Sequence, residues 1–174
     1  MTTRLFFFIF ALSLGACAFT TSFDGQKRSY PEFVEAKVKE ERLFVGGEQR
    51  LAMKVLVADK ELHSRQSEVA PGFEFELQNG EDQLIVAVSS QNRIPFMRDE
   101  LKFMLDKEAA LRVEELTSNF TIQTLYPYAF PYYRVFVVDF KGNSTPERTF
   151  QLQTARGPLS VKLQFRSASQ NRVD

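Results

Sequence analysis

The chain is poor in the residues that build most metal centres and many catalytic sites. Its 174 residues include one cysteine, one histidine and no tryptophan. A zinc or iron site that needs several imidazole or thiolate ligands is therefore excluded. A catalytic triad would have to use His63, yet the surrounding KELHSRQS contains no nucleophile elbow. We expect His63 to be a surface or strand-edge residue, and we expect no catalytic residue, metal ion or cofactor.

An excess of charge of one sign is also lacking. Lys and Arg together number 22, as do Asp and Glu. No basic surplus is available to neutralise a phosphate backbone, so a nucleic-acid partner is disfavoured. The eight glycines are scattered, and Gly46-Gly47 is not followed by the G-K-[ST] of a phosphate-binding loop.

Acidic residues occur in adjacent pairs, but adjacent residues of a strand point to opposite faces. Such a pair does not by itself make a two-carboxylate site, and none has the spacing of a calcium loop. We expect these residues to be solvated at strand edges and turns, and a hydrolase would need a carboxylate pair assembled by the fold. The pairs are Glu40-Glu41, Glu81-Asp82, Asp99-Glu100 and Glu114-Glu115.

Long apolar runs are absent apart from one near the start. Arg4 precedes LFFFIFALSLG, an apolar stretch of about eleven residues followed by small residues. This order is typical of a secretory signal peptide, which we assign to residues 1–16. The stretch is too short to span a bilayer, and no other segment approaches the roughly 20 residues that a transmembrane helix needs.

The only cysteine lies at the end of this leader. Leu14-Gly15-Ala16-Cys17 resembles the lipobox of bacterial lipoproteins. In that family the thiol is joined to diacylglycerol, the leader is removed just before the cysteine, and the new amino terminus is usually acylated, for example with palmitate. The resemblance implies that Cys17 is the lipid attachment site. Ala18 in place of Asp implies the outer membrane, most simply on its periplasmic side.

The resemblance covers only the first seventeen residues and names no family for the folded domain. The alternative is an ordinary secretory leader cut after Ala16. Residues 17–30 are interpreted as the lipidated amino terminus and a tether, which reaches at most about 43 Å between Ala18 and about Tyr30. Residues 31–174 are expected to form a single domain.

From Glu32 onward the dominant hydrophobic period is two, which is typical of strands. Asn79-Gly80 favours a type I′ turn, and GFEFELQNGEDQLIVAVSS therefore predicts a hairpin. Its apolar residues then share one face. The predicted pairs are Phe75 with Leu84, Phe73 with Val86 and Leu77 with Asp82, and Val88 lies on the same face.

Further strands follow from the same alternation. YYRVFVVDF is apolar on both faces, as in a central strand, and turn residues in KGNSTPE and ARGP predict a three-stranded meander in the last third. We therefore predict an all-β fold, an antiparallel β-sandwich of about eight strands with an immunoglobulin-like or transthyretin-like arrangement. The predicted apolar faces contain Leu51, Met53, Val55 and Val57; Phe136, Val138 and Phe140; Phe150 and Leu152; and Val161, Leu163 and Phe165.

One segment is ambiguous. RDELKFMLDKEAALRVEELTS alternates like two strands joined at Asp106-Lys107-Glu108-Ala109, but its Glu, Lys, Ala and Leu also favour a helix. We favour the two strands and keep one short helix around residues 98–116 as the alternative.

The segment LYPYAFPYY concentrates aromatic residues beside two prolines, which bias it away from helix. Tyrosine combines an apolar ring with a polar tip, and both domain edges and binding surfaces use it. The rings either cap the open end of the sandwich or form a platform for a partner. The candidate partner-binding residues are Tyr126, Tyr128, Phe130, Tyr132 and Tyr133.

These features favour a non-catalytic, lipid-anchored envelope protein that acts as an interaction or assembly module. Its expected partners are the membrane, through the lipid, and other envelope proteins. A carbohydrate- or peptide-binding lipoprotein that uses residues 126–133 is the first alternative, and a hydrolase with a carboxylate pair is the second.

Overall fold

The computed structural model describes residues 29–70, 81–90, 100–118, 121–122 and 133–165. Within these ranges the chain forms nine strands and two short helices. The helices are α1 (Tyr30–Lys37) and α2 (Lys60–Val69). The strands are β1 (Lys39–Val45), β2 (Glu48–Val57), β3 (Glu81–Ser90), β4 (Lys102–Leu105), β5 (Glu108–Ala109), β6 (Arg112–Leu116), β7 (Arg134–Lys141), β8 (Glu147–Thr154) and β9 (Gly157–Gln164).

The strands form two antiparallel sheets. One has the order β1-β2-β3-β7-β6 and the other the order β5-β4-β8-β9. The two sheets pack face to face, because the apolar sides of both contribute to one core cluster. The predicted all-β sandwich is confirmed.

The predicted apolar faces are confirmed as the inner faces of this sandwich. β7 is an interior strand between β3 and β6, as its apolar character on both faces predicted. Rings from both sheets meet in the core, where Phe103 lies 5.3 Å from Phe136 between centroids. The inward residues of the predicted sets are Leu51, Met53, Val55, Leu84, Val86, Val88, Phe136, Val138, Phe140, Phe150, Leu152, Val161 and Leu163, with Val57 and Phe165 packed against them.

In the predicted hairpin around Asn79-Gly80, the pairs proposed for Leu84 and Val86 are wrong, whereas the pair of Leu77 with Asp82 lies partly outside the described residues. Phe73, Phe75 and Leu77 lie outside the described residues, but both edges of their proposed partner strand are occupied. Leu84 pairs with a residue of β2 on one side and of β7 on the other, and Val86 does the same. A strand has only two edges, so a further strand cannot pair there.

The predicted carboxy-terminal meander is also wrong. β8 and β9 form a hairpin, but β7 belongs to the other sheet. The chain crosses from one sheet to the other between Lys141 and Glu147. The turn residues there connect strands of two different sheets instead of neighbouring strands of one sheet.

The ambiguous segment is extended, so the helix around residues 98–116 is wrong. β4 and β5 are joined by a two-residue turn at Asp106 and Lys107, whose φ angles are 51° and 73°. Two positive φ angles in a two-residue loop are typical of a type I′ turn. After β5 the chain crosses to the other sheet and forms β6.

Both helices lie where no helix was predicted. α1 has a capping interaction in which the Ser29 N–H donates to the Glu32 carboxylate at 2.9 Å. Its buried residues, Tyr30, Phe33 and Val34, join a second core cluster on the outer side of the five-stranded sheet. Tyr30, placed at the end of the tether by the sequence, is thus part of the folded domain. Burial raises the pKa of its phenol to about 12.

α2 begins after Asp59, whose carboxylate accepts a hydrogen bond from the Leu62 N–H at 2.8 Å. Lys37 joins the two helices through ion pairs with Asp59 at 2.7 Å and Glu61 at 2.9 Å. His63 lies on α2, half-buried, so its strand-edge placement is wrong. No helix in the described ranges is long and apolar enough to cross a membrane.

Candidate functional site

The two ends of the sandwich differ in chemistry, and each is defined by contacts between the sheets. At one end lie the β1–β2 turn, the end of β3 and the β8–β9 turn, and Arg156 donates to the Ser90 hydroxyl at 2.9 Å. We call this the tip end. At the opposite end Arg148 of β8 meets Asp82 of β3 and Asp106 of the β4–β5 turn. We call this the charged end.

At the charged end a guanidinium closes the gap between the sheets. The Arg148 side chain is 0% exposed, and its Nε donates to the Asp106 carboxylate at 2.7 Å. Its Nη1 donates to Asp82 and also to the Lys141 carbonyl. Arg148 has the same strand parity as Phe150, so it lies at the end of the inner face. One side chain thus links β3, β7, β8 and the β4–β5 turn.

The carboxylate of Asp106 is held in its ionised form. Partial desolvation raises its pKa, but a hydrogen bond from the Thr149 N–H and the bond and charge of Arg148 outweigh that effect. The net result is a pKa below the ordinary value of an aspartate. This group therefore remains a carboxylate at neutral pH.

A fully buried carboxylate lies on the outer face of the same end. Asp139 of β7 is 1% exposed and accepts a hydrogen bond from Gln83 of β3 at 2.6 Å. Its other oxygen lies 3.0 Å from Nε of Arg112 on β6. Because Arg112 is half exposed, this pair ties the edge strand to the sheet while one partner keeps contact with solvent.

The fold does bring separated carboxylates together, as a hydrolase would require. Asp82 and Asp106 both bind Arg148, and Asp82 is mostly buried, so its expected solvated position is wrong. However, a general acid needs a raised pKa, whereas that of Asp106 is lowered. Among the described residues no group of three or more Asp, Glu, His or Cys side chains is arranged to hold a metal ion.

At the tip end a narrow hairpin turn carries exposed apolar residues. Val45 pairs with Glu48, so the loop between them is Gly46-Gly47, with φ angles of 62° and 83°. This is again type I′ geometry, here with the residues that adopt positive φ most easily. Phe44 and Val45 are 57% and 48% exposed. The turn therefore presents an uncharged surface, which we call the hairpin tip (residues 44–47).

Tyr133 is the one candidate partner-binding residue among the described positions. Its ring packs half-buried against the second core cluster, and the Lys54 ammonium lies 5.3 Å from the ring centroid. The pKa of Arg42 is raised above its ordinary value, mainly by the hydrogen bond to Glu40. Tyr126, Tyr128, Phe130 and Tyr132 lie outside the described residues.

Tyr133 is the last residue of LYPYAFPYY (residues 125–133), which we call the tyrosine segment, and it shows where this segment meets the sheet. The next residue, Arg134, pairs with Val88 near the end of β3, which places Tyr133 toward the tip end. A small cleft with about 20 Å³ of space for water, partly open to solvent, lies at the same end. Its lining residues are Leu51, Glu100, Leu101, Thr154, Ala155 and Arg156.

Sequence reasoning missed the central residue of the charged end. Arg148 is two residues before Phe150 in a strand whose alternate residues face inward, and this parity placed a charge on the inner face. That signal was available. Gly46-Gly47 lacks the sequence of a phosphate loop, but its position between two alternating stretches is a hairpin signal.

No family model matches this chain, and no curated protein or solved structure is significantly similar to it.

Proposed function

We propose that this chain is a lipid-anchored protein of the bacterial envelope that acts by binding, as an interaction or assembly module. The lipid would be attached to Cys17 and hold the domain at the outer membrane, facing the periplasm. The residues Leu14-Gly15-Ala16-Cys17 and the apolar stretch before them support the anchor.

The position of Tyr133 supports the binding role. Its ring lies half-buried beside the Lys54 ammonium, so the carboxy-terminal end of the tyrosine segment is fixed on the surface of the five-stranded sheet. Tyrosine rings at a surface supply large contact areas at low entropic cost, and they are enriched in protein interfaces. This placement is the single observation that carries the binding role.

The anchor is tested by the intact mass of the mature protein from native membranes. We expect the mass of a chain that begins at Cys17 and carries diacylglycerol and an amide-linked acyl chain. Cys17→Ser should accumulate as the full-length precursor. A bare thiol on Cys17 in the native product would contradict the anchor.

The binding role is tested by crosslinking in intact envelopes followed by mass spectrometry. We expect crosslinks to envelope proteins that are lost when Tyr126, Tyr128 and Tyr132 are replaced by alanine in a variant with an unchanged melting temperature. Matched alanine substitutions at exposed residues Ser160 and Lys162 of β9 should retain the crosslinks. Sugar-dependent tyrosine fluorescence without any protein crosslink would favour the carbohydrate-binding alternative.

A further inference from the structure

The exposed apolar residues of the described ranges are unevenly placed. Four large apolar side chains are exposed, namely Phe44, Val45, Val69 and Leu111. Single exposed apolar residues are ordinary on protein surfaces and need no explanation. Phe44 and Val45, however, are adjacent and occupy the end of one hairpin.

The two glycines of the hairpin tip face open space. A Cβ atom added to Gly46 or Gly47 would meet no other atom within 4 Å. The backbone is nevertheless fixed, because Val45 and Glu48 pair and the turn has a defined type I′ geometry. Because Phe44 and Val45 are consecutive residues of β1, their side chains lie on opposite faces of this hairpin end.

The charges that flank the tip are balanced within each strand. Arg42 pairs with Glu40 at 2.6 Å on β1, and Arg50 pairs with Glu48 at 2.8 Å on β2. The base of the tip therefore carries no net charge that would repel an anionic surface. The tip itself carries none.

The small size of the tip argues against a protein as its occupant. A stable interface buries roughly 800 Å² on each partner, which far exceeds what two side chains offer. A bilayer needs much less if the domain is already tethered to it, because the tether converts a weak contact into an intramolecular one. Phe and Val at a turn can enter the boundary between head groups and acyl chains.

We propose that the hairpin tip inserts Phe44 and Val45 into the surface of a phospholipid bilayer and gives the domain a second membrane contact. This inference rests on the proposed lipid at Cys17. The roughly twelve residues from Ala18 to Ser29 reach up to about 40 Å, which exceeds the roughly 33 Å length of β2. The tether is therefore long enough for the tip to reach the membrane.

The test uses the mature lipidated protein with Val45→Cys. Once the sulfur of Cys17 is in a thioether, the introduced thiol is the only free one, since the chain has no other cysteine. It is labelled with the environment-sensitive fluorophore NBD, and the protein is reconstituted into vesicles of phosphatidylethanolamine and phosphatidylglycerol. The matched control is Lys162→Cys on β9, whose native side chain is 73% exposed.

We expect blue-shifted emission at position 45, quenching by lipids brominated in their acyl chains, and protection from aqueous iodide. The label at position 162 should show the opposite pattern. Adding Phe44→Ser to the Val45→Cys protein should abolish most of the acyl-chain quenching. Iodide quenching that is equal at positions 45 and 162 would overturn the inference.

Two other outcomes are distinguishable from that one. Protection of position 45 only after addition of envelope proteins would make the tip a protein-docking surface and overturn the bilayer contact. Intact mass of the same preparation reports on Cys17 separately. A bare thiol there would refute the proposed anchor, and the inference would fall with it.

Discussion

The two ends of the sandwich differ in how they treat the edge of the core. At the charged end the fully buried Arg148 binds carboxylates from both sheets. At the tip end Phe44 and Val45 remain exposed in the last two pairs of the β1–β2 ladder. One end uses charge to close the interior, and the other presents apolar surface to its surroundings.

Each end places a group in an unfavourable environment. A charged group is buried at the charged end, and an apolar ring is exposed at the tip end. Burying a guanidinium is costly unless its hydrogen bonds are met, and exposing a phenyl ring forgoes apolar burial. The charged end meets most of this cost with Asp82, Asp106 and the Lys141 carbonyl. The described part of the tip end contains no such compensation for Phe44.

The largest expected effect comes from Arg148→Met. It leaves the mostly buried Asp82 and the partly exposed Asp106 without their cation, so the free energy of unfolding should fall by about 2–4 kcal/mol. Urea unfolding followed by circular dichroism measures this change.

The matched control is Arg42→Met at the tip end. The Arg42–Glu40 pair is exposed, and such pairs contribute little, so the unfolding midpoint should not shift measurably. Equal losses in the two variants would show that the ends do not differ energetically. Replacing Asp82 by Asn in the Arg148→Met protein should recover part of the loss, because one unpaired charge is removed.

Substitutions at the second residue of the two type I′ turns should change the free energy of unfolding in opposite directions, each by about 1 kcal/mol. Lys107 adopts a φ of 73° without being glycine, so Lys107→Gly should stabilise the protein by up to about 1 kcal/mol. Gly47→Lys places a side chain at a φ of 83° and should destabilise it by about 1 kcal/mol or more. Thermal unfolding of both variants checks the sign, and opposite signs are required.

Acid stability should depend on Asp106. Because its folded pKa is lowered, its contribution is present above the unfolded value of about 3.9 and is lost as pH falls through the folded value. Asp106→Asn should therefore be less stable at neutral pH, with a shallower loss of stability between about pH 5 and pH 2.

Acid titration of the folded signal measures this slope. Glu48→Gln removes a carboxylate that is 64% exposed at the tip end and serves as the control. Its acid transition should stay closer to that of the unchanged protein. An unaltered slope in Asp106→Asn would contradict the role of this carboxylate.

The smallest effect on folding is expected at the hairpin tip. Phe44→Thr together with Val45→Thr keeps residues that suit strands and removes only exposed apolar surface. The free energy of unfolding should change by no more than about 0.5 kcal/mol. A loss comparable to that of Arg148→Met would mean that these side chains support the fold.

Alternation predicted which residues face the core but not which strands pair. The alternation of apolar and polar side chains is visible in the sequence, so it predicted the inward-facing residues of β2, β7, β8 and β9. Ladder hydrogen bonds use the backbone, which is the same in every strand. The pairing of β3 with both β2 and β7 could therefore not be predicted from the local turn signal at Asn79-Gly80.

The helices show the opposite case. Local capping signals were present in the sequence, but no long apolar stripe supported them. Ser29 and Glu32 have the spacing of a capping box, and Asp59 is a favourable N-cap. Both helices are short, at 8 and 10 residues, and α2 is mostly polar. Neither has the long apolar stripe that makes a helix obvious from its sequence. The charged end required contacts between distant strands, of which only the inward parity of Arg148 was readable.

The packing of α1 has a mechanical consequence. Chain upstream of Ser29 joins the domain through Tyr30, Phe33 and Val34, which are buried against the outer side of the five-stranded sheet. A force applied to the amino-terminal segment is therefore borne first by side-chain packing over a broad area. The hydrogen-bonded edge strand β1 follows α1 along the chain, so it is shielded from being unzipped until the helix has been peeled away.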